Sequence, residues 1–261
     1  MDEQEPKKKS YKWVWIAAGI LLVTAALLIG FNFKNIQGTT DPNNLAQVIQ
    51  ADFIDLDRIY SISKFRSGSG HDFSQGSGEK CRSMKHYFNV QMSQEGEQLR
   101  NQNNGMPPGP DGKNDISIYS PVEGKITAIQ SDQTLGEQIY IQPTGYTDIK
   151  IRLFHIYKLE GIKKGRAVKA GEKIGVIGRY QNTDIAITRG SDYLSYFEVM
   201  PDNIFAKYQA RGVKDRRELI ITQEYRDANP LKCSGEQFAV NYDADPNSGN
   251  FIYLSGYSSN F

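Results

Sequence analysis

ISIYSPVEGKITAI (116–129), EQIYIQ (137–142), DIKIRLFHIY (148–157) and IKKGRAVKAGEKIGVIG (162–178) decide the fold. The first three alternate apolar and polar residues, the period of two that marks half-buried strands. In the third, Ile149, Ile151, Leu153, His155 and Tyr157 are expected on one face, with Lys150 and Arg152 on a wetter one. The fourth sets Gly165, Gly171, Gly175 and Gly178 between short apolar pieces, which predicts the tight turns of a small curled sheet. Helical periodicity is absent, so a mainly β unit is expected.

Outward from this unit, DIAITRGSDYLSYFEV (184–199) reads as a hairpin turning near Arg189-Gly190-Ser191. Beyond Pro201, Ile204, Phe205 and Tyr208 return at helical spacing, and FIYLSGY (251–257) reads as an edge strand. On the other side, residues 66–115 are dense in Gly, Pro, Asn and Ser and read as a long loop. Before it, Asp41-Pro42 suits a helix start. Leu45, Val48, Ile49, Phe53 and Leu56 then suit a short amphipathic helix within 34–59.

From Trp13 to Phe33 no residue carries a charge. At about 1.5 Å per residue the run spans roughly 31 Å, the thickness of a bilayer core. Lys7, Lys8, Lys9 and Lys12 precede it and Lys34 follows. The expected order is a cytoplasmic basic N-terminus (1–12), a transmembrane signal anchor (13–33), the linker and helix (34–59), the β core (60–200) and a C-terminal extension (201–261). The lysine asymmetry places residues 35–261 outside the cytoplasm, on a single-pass plasma-membrane protein. A cleaved signal peptide would have a shorter apolar region and a small-x-small site.

Thirty-one Lys and Arg stand against thirty Asp and Glu. No global field therefore favours nucleic acid, and no nucleic-acid partner is expected. No P-loop, GxGxxG or GxSxG phrase is present. Asp243-x-Asp245-x-Asn247 fails as a calcium loop, because Ser248 and Leu254 hold the glycine and bidentate-acid positions. Cys81 and Cys233 form no CxxC pair. In an oxidising compartment they read as one disulfide tying the C-terminal segment to the early part of the domain, the alternative being two buried thiols.

The phrases Pro121-Val-Glu-Gly124, FHIY (154–157), VKAGEKIG (168–175) and YFEV (196–199), in that order, resemble the duplicated hybrid motif. They are most similar to the lysostaphin-type (LytM-like) murein endopeptidases, over roughly residues 60–200. That resemblance implies a β core of this kind. It also implies a zinc ion held by a His and an Asp of an HxGxD phrase and by the second His of an HxH phrase, with a further strand His assisting water. His155 falls on the strand position and would be catalytic if the chain is active. The HLHFEV phrase falls on Leu194–Val199, putting Leu194 and Tyr196 where the family has histidines. The first phrase aligns in two ways. One keeps Asp72 and puts Gly68 at the histidine; the other uses His86 and puts Val90 at the aspartate. His71, Asp72 and His86 are thus the candidate metal ligands of a rebuilt site.

Two functions are expected from this pattern. One is a non-catalytic envelope domain whose degenerate groove binds a peptidoglycan peptide, a glycan or a partner protein, with no cofactor. The other is an active zinc metallopeptidase with a rearranged metal site.

Overall fold

The computed structural model describes residues 45–131, 135–244 and 249–256. The expected anchor over 13–33 lies outside the described residues; within them no helix is long and apolar enough to cross a membrane.

In chain order the elements are β1 (Ile59–Ser63), β2 (His86–Val90), α1 (Gln94–Gln102), β3 (Ile116–Tyr119), β4 (Gly124–Ser131), β5 (Glu137–Pro143) and β6 (Ile149–Lys158). There follow β7 (Ala167–Val168), β8 (Lys173–Ile177), β9 (Thr183–Arg189), β10 (Asp192–Leu194), α2 (Asp202–Gln209), α3 (Gln223–Ala228), β11 (Cys233–Ser234), β12 (Gln237–Phe238) and β13 (Phe251–Tyr253). The main sheet runs β13-β1-β2-β9-β6-β5-β4-β7, with β10 folded back on β9 and β8 bridging β6 to β3. Its strand pairs are antiparallel. The molecule is mainly β, as the alternation requires.

The strand β6 does not keep one face. Leu153 pairs with Ile139 of β5, but Ile156 pairs with Glu137, so β6 spends three steps against two. This is a β-bulge, and His155 sits in it at φ +62°. Ile149, Ile151 and Leu153 are buried before the bulge and Ile156 after it, while His155 and Tyr157 are only partly buried. The expected common face therefore breaks at Phe154-His155. The bulge lies where β6 leaves β9 and takes up β8, the device by which a strand turns a sheet corner. Two buried side chains satisfy the carbonyls it frees: Thr183 Oγ1 donates to Phe154 O (2.7 Å) and Gln181 Nε2 to His155 O (2.6 Å). On the far side β8 comes so close that a Cβ on Gly175 would lie 2.4 Å from Ile156 Cγ2.

Two expectations are corrected. Residues 45–55 form no helix; they lie along the sheet, with Ile49 N donating to Val199 O, Gln50 N to Pro121 O and Phe53 O accepting from Tyr119 N. The apolar spacing is real, since Val48, Ile49, Phe53 and Ile54 are buried, but backbone groups distant in the chain take the hydrogen bonds a helix would use. Residues 66–115 are not all loop either. They contain β2, in the middle of the sheet, and α1, whose start is capped by Ser93 Oγ accepting from Gly96 N.

The 189–191 turn, α2 and the edge strand β13 stand where the sequence puts them. Ile204, Phe205 and Tyr208 of α2 close the core over Phe53, Phe88, Tyr196 and Phe197. Each such aromatic contributes roughly 1.5–3 kcal/mol by leaving water. Cys81 and Cys233 are bonded, closing a span of 152 residues. Beside them Glu79 bridges Arg66 (2.8 Å) and Arg82 (2.6 Å), and Arg82 reaches Asp227 of α3 at 2.7 Å. The segment before β2 is thus fastened to the C-terminal extension.

Candidate functional site

Along β2 and the two residues before it, Met84, His86, Phe88 and Val90 point into the core. Period two puts Lys85, Tyr87 and Asn89 on the opposite face. That face and the bulge of β6 form the walls of a groove of about 960 Å³, whose lining includes His71, Phe73, Lys85, Tyr87, Arg152, Phe154, His155 and Tyr193. Gly70, Tyr87 and His155 continue into a second hollow lined by Asn89, Asn182 and Asp184. Gly70 allows Tyr87 its place, since a Cβ there would lie 2.1 Å from the Tyr87 hydroxyl oxygen.

At the groove floor is an ion pair. Lys85 Nζ stands 2.5 Å from Asp184 Oδ2, with side-chain exposures of 3% and 0%. The same ammonium donates to His71 Nε2 at 3.3 Å. His155 Nε2 stands 3.2 Å from the other carboxylate oxygen, Asp184 Oδ1. Around the ammonium lie the rings of Phe154 (4.3 Å), Phe73 (4.7 Å) and Tyr87 (4.8 Å), the arrangement in which π faces attract a desolvated cation. Burial works to raise the Asp184 pKa, but Lys85 and then His155 outweigh it and hold the carboxyl at about 2. Burial and then the Lys85 ammonium hold His71 below its usual value. Its Nδ1 donates to Asp72 O (2.9 Å), which leaves Nε2 to accept from Lys85.

The expected site residues separate into two groups. His71 and His155 meet at the groove. Asp72 does not join them: its Oδ1 accepts from Ser74 N, Ser74 Oγ and Arg82 N, an Asx turn that shapes the loop. His86 points the other way, with Nδ1 donating to Ser63 O (2.8 Å) and Nε2 accepting from Ser195 Oγ (2.8 Å). Gly68 packs against Tyr242 and donates its N–H to Asn250 Oδ1. Leu194 pairs with Ile187, and Tyr196 is buried among Phe53, Phe88 and Phe197.

Burial pushes the His86 pKa from 6.5 down to about 4, with Ser63 O opposing. The unfolded chain therefore holds more protons between those values, and stability falls with pH across that window by about 3 kcal/mol from this residue. Urea midpoints measured from pH 7 to pH 4.5 should drop steeply for the native chain and more shallowly for His86→Gln. Equal slopes would remove His86 from the account.

Zinc needs three protein ligands and one open position. Here the Lys85 ammonium stands between His71 Nε2 and Asp184 Oδ2 and donates to both, so a divalent ion would face a fixed positive charge and donors already engaged. The residues do not fit zinc. Among the described residues, no group of three or more His, Cys, Asp or Glu is arranged to hold a metal ion.

Neither a family model nor a curated protein matches the chain. Solved structures do. Csd3 of Helicobacter pylori, in a hexagonal crystal, is 12% identical over 81% of this chain and 46% of its own, with a TM-score of 0.38. A chain of a SpoIIIAH–SpoIIQ complex is 12% identical over 58% of this chain and 99% of its own, at 0.39. The catalytic domain of lysostaphin from Staphylococcus simulans is 15% identical over 52% of this chain and 87% of its own, at 0.32. At these scores the likenesses decide nothing about activity. The chain spans less than half of the Csd3 chain.

The strand that faces His155 is β9, entered through Asn182-Thr183-Asp184, and not the 194–199 segment. The positions two apart that line the second hollow are Asn182 and Asp184. The positions four apart on the neighbouring strand are Lys85 and Asn89. A search for His and Asp alone passes over Asn182, Lys85 and Asn89. Their signal in the sequence was the alternation of SMKHYFNV (83–90), which puts Lys85 opposite the buried His86.

Proposed function

We infer that this chain is a cell-envelope domain whose groove binds an extended ligand, a peptidoglycan peptide or glycan or a segment of a partner protein, without hydrolysing it. The observation that carries this is the Lys85 ammonium between His71 and Asp184. Metal-assisted hydrolysis uses a cation with a vacant position that lowers the pKa of a bound water. An ammonium is a hydrogen-bond donor with one charge and no vacancy, so it stabilises the groove and activates nothing. The PVEG, VKAGEKIG and FHIY phrases support a peptide-binding ancestry for the groove, and the uncharged run over 13–33 supports a single membrane anchor with residues 35–261 outside the cytoplasm.

The test is metal analysis of the full-length chain, equilibrated with zinc at neutral pH and then desalted, together with a murein cleavage assay. The expected result is no stoichiometric zinc and no cleavage. One zinc per chain, with cleavage lost in His155→Ala, would overturn the reading in favour of the peptidase.

A further inference from the structure

We propose that the groove recognises a free carboxylate on a peptide-like ligand and that Arg152 receives it. This rests on the reading of the groove as a binding site. Among the described residues at the groove, Lys85 and Asp184 neutralise each other and Asp72 is tied into its turn. Glu236 keeps its charge on the rim, where it accepts from the neutral Gln75 Nε2 at 2.7 Å. Arg152, three residues before His155, is different. Its guanidinium lies over Phe154 (4.4 Å), Tyr140 (5.0 Å) and Phe73 (5.5 Å). Among the described residues its hydrogen bonds, from Nε (3.1 Å) and Nη2, go to one neutral acceptor, Gln138 Oε1. No carboxylate there pairs with it.

Contact with three rings and two bonds to Gln138 restrain the fork, so less freedom is left to lose when a ligand arrives. A planar fork carrying several N–H groups, whose charge no described carboxylate pairs, matches the two oxygens of a carboxylate. The count of charge favours a monoanion. A phosphate carries about −1.5 to −2, and its surplus would meet Glu236 across the groove. The amides of Gln130 and Gln237 on the same walls offer donors and acceptors to peptide groups, and about 960 Å³ holds more than a single amino acid.

The probes are acetyl-tetraalanine with a free C-terminus, its C-terminal amide and inorganic phosphate, titrated calorimetrically into the full-length chain. The acid should bind at least about tenfold more tightly than the amide. Arg152→Gln should abolish the difference, and Arg152→Lys, which keeps the charge without the fork, should recover only part of it. Thermal melts establish that each variant is folded; if Arg152→Gln is not, the acid-to-amide ratio in the native chain and in Arg152→Lys decides. Equal binding of acid and amide, stronger binding of phosphate, or no binding of the acid at millimolar concentration would each overturn the assignment. Zinc analysis reads the fate of the non-hydrolytic reading separately.

Discussion

Lys85→Met should destabilise the protein by about 3–5 kcal/mol, the cost of leaving a buried carboxylate without its counter-charge. Asp184 is fully buried, and Lys85 is the cation nearest to it. The sign of the pH dependence identifies the cause. With the ammonium gone, only His155 opposes burial; burial is expected to prevail and raise the Asp184 pKa above 3.8, so the unfolded chain ionises first and the loss grows as pH rises from 4. Joint replacement, Lys85→Met with Asp184→Leu, should recover most of the stability, since two apolar groups of similar volume leave no charge stranded. Urea denaturation of the native chain, both single variants and the double variant gives the coupling energy directly. A single variant that loses under about 1 kcal/mol, or a loss that shrinks with rising pH, would show that the pair is not the electrostatic centre of the groove.

The second large effect is that of the disulfide. Removing a cross-link that closes 152 residues is expected to cost about 4–5 kcal/mol on the chain-entropy account. The consequence extends to the groove. Glu236 and Gln237 form part of its rim, and Glu236 O accepts from Asp72 N at 2.8 Å, only a few residues beyond Cys233. Cys233→Ser should therefore lower the urea midpoint and weaken ligand binding together, and reductant should do the same to the native chain. Thiol labelling of the denatured, unreduced protein taken directly from membranes should find no free thiol. Two labelled cysteines would count against the bond in the cell and against placing residues 35–261 in an oxidising compartment.

The strands of the core were legible in the sequence because alternation is a local signal, and the glycine-punctuated run from Gly165 to Gly178 fixed where they turn. The 45–56 segment misled because apolar spacing alone does not say which backbone will take its hydrogen bonds; Pro121 and Val199 do so here, far off in the chain. His155 was legible as a residue but not as a bulge, since its positive φ follows from β6 exchanging β9 for β8. The centre of the site was the least legible. Lys85 reads as an ordinary strand lysine, and Asp184 as a strand end. Only the antiparallel register that sets Tyr87 opposite Asp184 brings the two charges to one point. His86, the more conspicuous neighbour, faces the core.

A metal centre obeys mass action: its occupancy follows the free metal concentration, chelators empty it, and better-binding ions replace its occupant. The ammonium of Lys85 is tethered by its own side chain to the backbone just before β2 and cannot leave. The charge of that pair with Asp184 is therefore in place once the strands pair, and it needs no loading step. On the proposed binding reading, scarcity or excess of metal around the protein would leave the Lys85–Asp184 pair, and the shape it gives the groove, unchanged.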